Sequence, residues 1–151
     1  MKMSLSEWYR NGWLKKHQTS RDEIRSLFAI IERDLKDSEQ DSISEDWRFA
    51  MAYNAARQCC VVALFCSGYR VERGGSEHYR VIRSLPLCLG DQYSEIRDYL
   101  DSCRNKRNVS DYDMAGTISS EETKELIKTA HELYSDVRSW MQVHHPDYSP
   151  I

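Results

Sequence analysis

The chain has 151 residues, a formal net charge of −3, 40% hydrophobic and 30% charged residues, with only six glycines and three prolines. That length suits one domain spanning 1–151, burying roughly two-thirds of its unfolded surface. Few turn-formers beside so much charge exclude a β-sandwich. The acidic balance excludes a molecule that attracts nucleic acid over its whole surface, so any such contact must come from a local patch.

In chain order, SLSEWYRNGWL predicts a short first helix with Trp8, Tyr9 and Trp13 available for packing. Thr19 and Ser20 punctuate, and Ser20 with Glu23 has the spacing of a capping box. Ile24, Leu27, Phe28, Ile31 and Leu35 then recur at three–four spacing, the mark of one buried helical face. KDSEQDS reads as a polar loop. Ser42 and Glu45 repeat the capping spacing and open the most apolar helix, about 45–68, closed by Gly68 because glycine tolerates the left-handed conformation of helix ends. Its Ala52, Ala55, Ala56, Cys59, Val62 and Ala63 are small enough to let neighbouring helices approach closely.

YRVERGG reads as a loop. A helix carrying His78, Ile82 and Leu85 follows, and Pro86, which lacks an N–H, should kink or end it. A fifth helix begins near Asp91 with Tyr93, Ile96, Leu100 and Cys103 inward. DYDMAGTIS is a loop. Ser119 and Glu122 then cap a long last helix with the stripe Leu126, Ala130, Leu133, Val137 and Trp140, ended by Pro146. Trp47, Tyr93, Tyr99 and Tyr134 fit core or interface stripes. Helices joined by short loops pack antiparallel. The expected fold is therefore all-α, an up-and-down antiparallel bundle of four to five core helices over about 20–145 plus a short N-terminal helix.

The five cysteines form no Cys-x-x-Cys pair, and Cys59, Cys60 and Cys66 lie in an apolar helical run, where thiols act as small hydrophobes. No histidine pair sits four residues apart on one helix, so no metal is expected, and no cofactor-binding Gly-rich loop is present. The start MKMSLSEWYRNGW has no signal-peptide run, and no run nears the ~18 apolar residues of a membrane span. The expectation is a cytoplasmic protein with no membrane contact.

The stretch CRNKRNVSDYD, residues 103–113, concentrates Arg104, Lys106 and Arg107 beside two asparagines. Cations at a helix C-terminus complement the macrodipole by about 0.3–1 kcal/mol, and Asn108 could cap that end. Arg70, just past Gly68, with Arg73 and Arg80, could extend a basic surface toward these residues.

Several segments taken in order carry a family resemblance: AYNAARQCCVVALFCSGYR at 52–70, EHYRVI at 77–82, RNKRNVSDYD at 104–113 and ISSEETKELIKTAHELYSDVRSW at 118–140. Together they resemble the HEPN family, small helical domains of toxin–antitoxin and defence systems and of some RNases. In active members an arginine is followed, after roughly four to six intervening residues, by a histidine, the first to hold the scissile phosphate and the second to move a proton. Two such motifs meet across a dimer, and cleavage needs no metal.

Carried over, the resemblance implies a site at Arg107 and Asn108, with Arg104, Lys106 and Arg70 as binding residues. Tyr112 stands where the histidine is expected; a phenol is a poor base at pH 7 but can bond a phosphate or stack on a base. His78 is the candidate replacement. The resemblance also implies a homodimer, RNA or nucleotide as ligand and a nucleotidyltransferase-type partner protein. Three functions follow: a binding component of a toxin–antitoxin or defence-type system; a metal-independent RNase; or an interaction bundle whose arginines only cap a helix.

Overall fold

The computed structural model describes residues 3–110 and 114–151. Among them are six α-helices and one small two-stranded antiparallel sheet: α1 (Leu5–Arg10), β1 (Leu14–Lys16), α2 (Arg21–Ser38), α3 (Glu45–Cys66), β2 (Tyr69–Val71), α4 (Glu77–Leu89), α5 (Ser94–Asn108) and α6 (Ser120–His144). The all-helical bundle is thus as expected. Its centre is α3, which packs on α2, α4, α5 and α6. Apolar residues surround α3 rather than forming one stripe, and Phe49, Ala52, Ala55, Ala56, Cys59, Cys60, Val62 and Ala63 are all sealed from solvent. A helix hydrophobic all round belongs in a core. By length and composition α3 would also pass for a membrane span, contrary to the sequence expectation, but most of its apolar window is buried by its neighbours.

The other helices present one face each. Ile24, Phe28, Ile31 and Leu35 of α2, Ile82 and Leu85 of α4, Leu100 and Cys103 of α5, and Leu126, Ala130, Leu133 and Val137 of α6 join one cluster. Burial pushes the Cys66 and Cys88 thiols up to about 12, consistent with packing rather than thiolate chemistry.

The start of α6 is set locally. The Ser119 hydroxyl accepts the Glu122 amide at 3.1 Å and the Glu122 carboxylate accepts the Ser119 amide at 2.9 Å. Ser119→Ala should lower stability by about 1 kcal/mol, read as a shifted urea midpoint at unchanged slope; no shift would mean that packing alone places the helix.

Several boundaries differ from the sequence expectation. α1 stops at Arg10, and Leu14–Lys16 instead pairs antiparallel with Tyr69–Val71, which had read as loop. α2 continues into KDSEQDS as far as Ser38. Ser44, not Ser42, caps α3 by accepting the Trp47 amide. Ser20 accepts the Glu23 amide, but the Glu23 carboxylate bonds Thr19 and His17 in place of the return arm. Pro86 lies inside α4 because the helix needs only one more turn, and Leu85 and Leu89 are buried on either side of it. Trp47 is 65% exposed on the first turn of α3, so it is not a core residue.

Candidate functional site

The first turn of α4 and the last turns of α5 face one another across an open groove of about 440 Å³. It is lined by Gly75, Ser76, Glu77, His78, Tyr79, Arg104, Arg107 and Asn108. Arg104 and Arg107 share a face of α5 because they are three residues apart. Asn108 lies within the helix, with Val109 at its end, so it is not the cap that its sequence position suggests.

Two of these lining residues contact Tyr53 of α3. Tyr53 is 1% exposed, and its hydroxyl hydrogen-bonds His78 Nδ1 at 3.4 Å. The Arg107 guanidinium lies over the Tyr53 ring, 5.5 Å from its centroid. One buried phenol therefore supports both the histidine of α4 and the arginine of α5. Burial raises the Tyr53 hydroxyl to about 12, so it remains protonated at neutral pH.

Arg57 stands one turn beyond Tyr53. It donates to Asn54 Oδ1 at 2.7 Å, and the Asn54 amide donates to the buried Asp34 carboxylate at 2.5 Å. Arg104 bonds Asp101 at 3.1 Å and lies 5.5 Å from the centroid of the Tyr79 ring, which is 41% exposed. These contacts hold the arginines in place before any ligand arrives, and Glu77 is occupied in accepting the Gly74 amide.

The electrostatic result is a neutral imidazole among cations. Burial first, then Arg57, Arg107 and Arg104, lower His78 to about 4, with Glu77 opposing. An unfolded chain would protonate His78 near 6.5, so it takes up the proton first as pH falls. The stability contributed by neutral His78 is present above about 6.5 and is lost as pH falls toward 4. NMR of the His78 ring should show titration well below the ordinary histidine value, and titration near 6.5 would contradict this environment.

Of the residues singled out in the sequence, Arg104, Arg107, Asn108 and His78 line this groove. Lys106 points elsewhere, pairing with Glu122 beside a separate pocket containing Phe49 and Tyr99. Arg70 is on β2 opposite Lys15, outside the groove lining. Arg80 lies over the Trp13 ring at 4.2 Å. Tyr112 lies outside the described residues. Sequence reasoning passed over Arg57 and Tyr79. The four-residue spacing of Tyr53 and Arg57 put them on one face, but nothing local linked Tyr79 to Arg104.

Chemically, the groove can bind an anion: guanidinium and amide donors converge, and the imidazole can accept or donate one proton. Among the described residues no group of three or more His, Cys, Asp or Glu could hold a metal ion. A model of the HEPN domain family matches residues 24–140. No curated protein and no solved structure matches the chain. The matched segment contains α3 to α5 entire, with both walls of the groove and the tyrosine that contacts them, and it covers most of the sequence: the chain belongs to the HEPN domain family.

Proposed function

We propose that the protein is an RNA-binding component of a toxin–antitoxin or defence-type system, and that the α4–α5 groove takes a phosphodiester of the RNA backbone. The observation that carries this reading is the convergence of Arg104, Arg107, Asn108 and His78 from two helices on one open groove. Bidentate guanidinium donors suit phosphate oxygens. The net charge of −3 makes a local site the only electrostatic route to RNA. The type of system, a homodimer and a nucleotidyltransferase-type partner rest on family resemblance. Titration of labelled single-stranded RNA by fluorescence anisotropy should give saturable binding that weakens with salt; no binding at low salt would overturn the proposal.

A second reading is favoured by the Tyr53–His78 contact. A neutral His78 can take the proton of a ribose 2′-hydroxyl as that oxygen attacks the adjacent phosphorus. The P–O5′ bond breaks, the 5′-oxygen recovers a proton, and a 2′,3′-cyclic phosphate remains. Arg107 would stabilise the charge developing on the phosphoryl oxygens. This reading requires cleavage in the presence of EDTA that disappears in His78→Ala. Intact binding without cleavage across a panel of RNAs would leave the groove as a binding site alone.

A further inference from the structure

The strand pair of β1 and β2 carries features that the groove does not use. Lys15 stands directly opposite Arg70 in the register. Like charges facing each other across a strand pair are destabilising. Lys15 reaches Glu72 at 3.3 Å, whereas Arg70 has no carboxylate partner among the described residues.

The opposite face of the strand pair carries an aromatic surface, because successive residues of a strand point to opposite sides. The Tyr9 ring is 41% exposed and 5.9 Å from the Tyr69 ring, and the Lys16 ammonium lies 5.2 and 5.4 Å from the two centroids. The strand pair adjoins the groove through the chain itself. From Val71 on β2 to Gly75 in the groove wall is four residues, a reach of at most ~14 Å. The Arg80 guanidinium, on the α4 turn that follows His78 and Tyr79, rests on Trp13 immediately before β1. β1, Tyr9 and Lys16 precede the segment matched by the family model, whereas Tyr69 and Arg70 lie within it.

We infer that the strand pair is a second contact for a single RNA strand leaving the groove, with Lys15 and Arg70 holding backbone phosphates on one face and the exposed Tyr9 ring offering a stacking surface to an unpaired base where the RNA passes to the other. A bridging anion relieves the facing cations, and an exposed ring suits an unpaired base. The inference rests on the RNA-binding reading of the groove.

The test compares poly-uridine oligonucleotides of ~4 and ~16 nucleotides, the range one compact single-strand site covers. Wild-type protein should bind the longer one more tightly. The double variant Lys15→Gln, Arg70→Gln should weaken the longer strand by roughly tenfold and reduce its salt slope by about 1.4, the value for two phosphate contacts on a single strand. It should leave the short oligonucleotide unaffected. Tyr9→Ala, at an exposed ring, should likewise weaken only the longer strand, with thermal melts confirming that both variants fold. Unchanged long-strand affinity in the double variant, alongside loss of both lengths in Arg107→Ala, would overturn the strand-pair contact and leave the groove standing. No binding of either length by wild-type protein would overturn both.

Discussion

Arg107→Ala is expected to weaken RNA binding by roughly tenfold to a hundredfold, the loss of a charge-assisted hydrogen-bonding group worth about 1.5–3 kcal/mol. The geometry gives the reason. Arg107 lies over Tyr53, beside the histidine that shares the same phenol. Its removal takes away both a phosphate donor and one of the cations that keep His78 neutral. The His78 titration should therefore move upward in the variant, toward the ordinary histidine value. If Arg107 only complemented the α5 dipole, the substitution would cost about 0.3–1 kcal/mol of stability and leave RNA affinity untouched. Anisotropy titrations and urea melts on the same preparation separate the two outcomes. Arg107→Lys is the informative companion: it keeps the charge but loses the planar fork, so affinity should fall to an intermediate value.

Leu133→Ala should lower stability by about 2–5 kcal/mol, the range for truncating a buried leucine. Leu133 is 0% exposed in the main core cluster, on α6, which has one of the two broadest contacts with the central helix. For a chain of this size that corresponds to a fall of about 4–20 °C in Tm. The small residues of α3 (Ala52, Ala55, Ala56 and Ala63 are all at 0% exposure) have no bulk with which to fill the void. The urea slope should stay the same, since the surface exposed on unfolding hardly changes. A loss below ~0.5 kcal/mol, the usual size for surface positions, would mean that α6 is not packed on α3 as described.

Much of the bundle was legible because helical burial leaves a local record. The stripes of α2 and α6 repeat every three to four residues and are buried except for Leu27 and Trp140, which are only partly covered. Ser119 with Glu122 is a reciprocal cap whose parts lie three residues apart. The two-stranded sheet left no such record. Leu14–Lys16 and Tyr69–Val71 are three-residue strands more than fifty residues apart, too short for alternation to show. Ser42 and Ser44 both offered a hydroxyl before α3, and a third residue, Trp47, decided between them by where its amide points. Pro86 read as a stop because propensity is local, whereas burial of Leu85 and Leu89 is a tertiary gain.

The site divides in the same way. Arg107 and Asn108 stood out by composition and family resemblance, and His78 by its place in the ordered motifs. Their common groove, and the supporting roles of Tyr53, Arg57 and Tyr79, depend on three helices meeting. By itself the sequence determined the helical class, most helix spans, the core stripes and the family, because each is written in spacings of three or four residues or in segments whose order is preserved. Only the tertiary structure decided which charged and titratable side chains share a space. The packing of α4 and α5 on α3 sets both the distance between His78 and Tyr53 and the burial that keeps the imidazole neutral, and neither quantity exists along the chain alone.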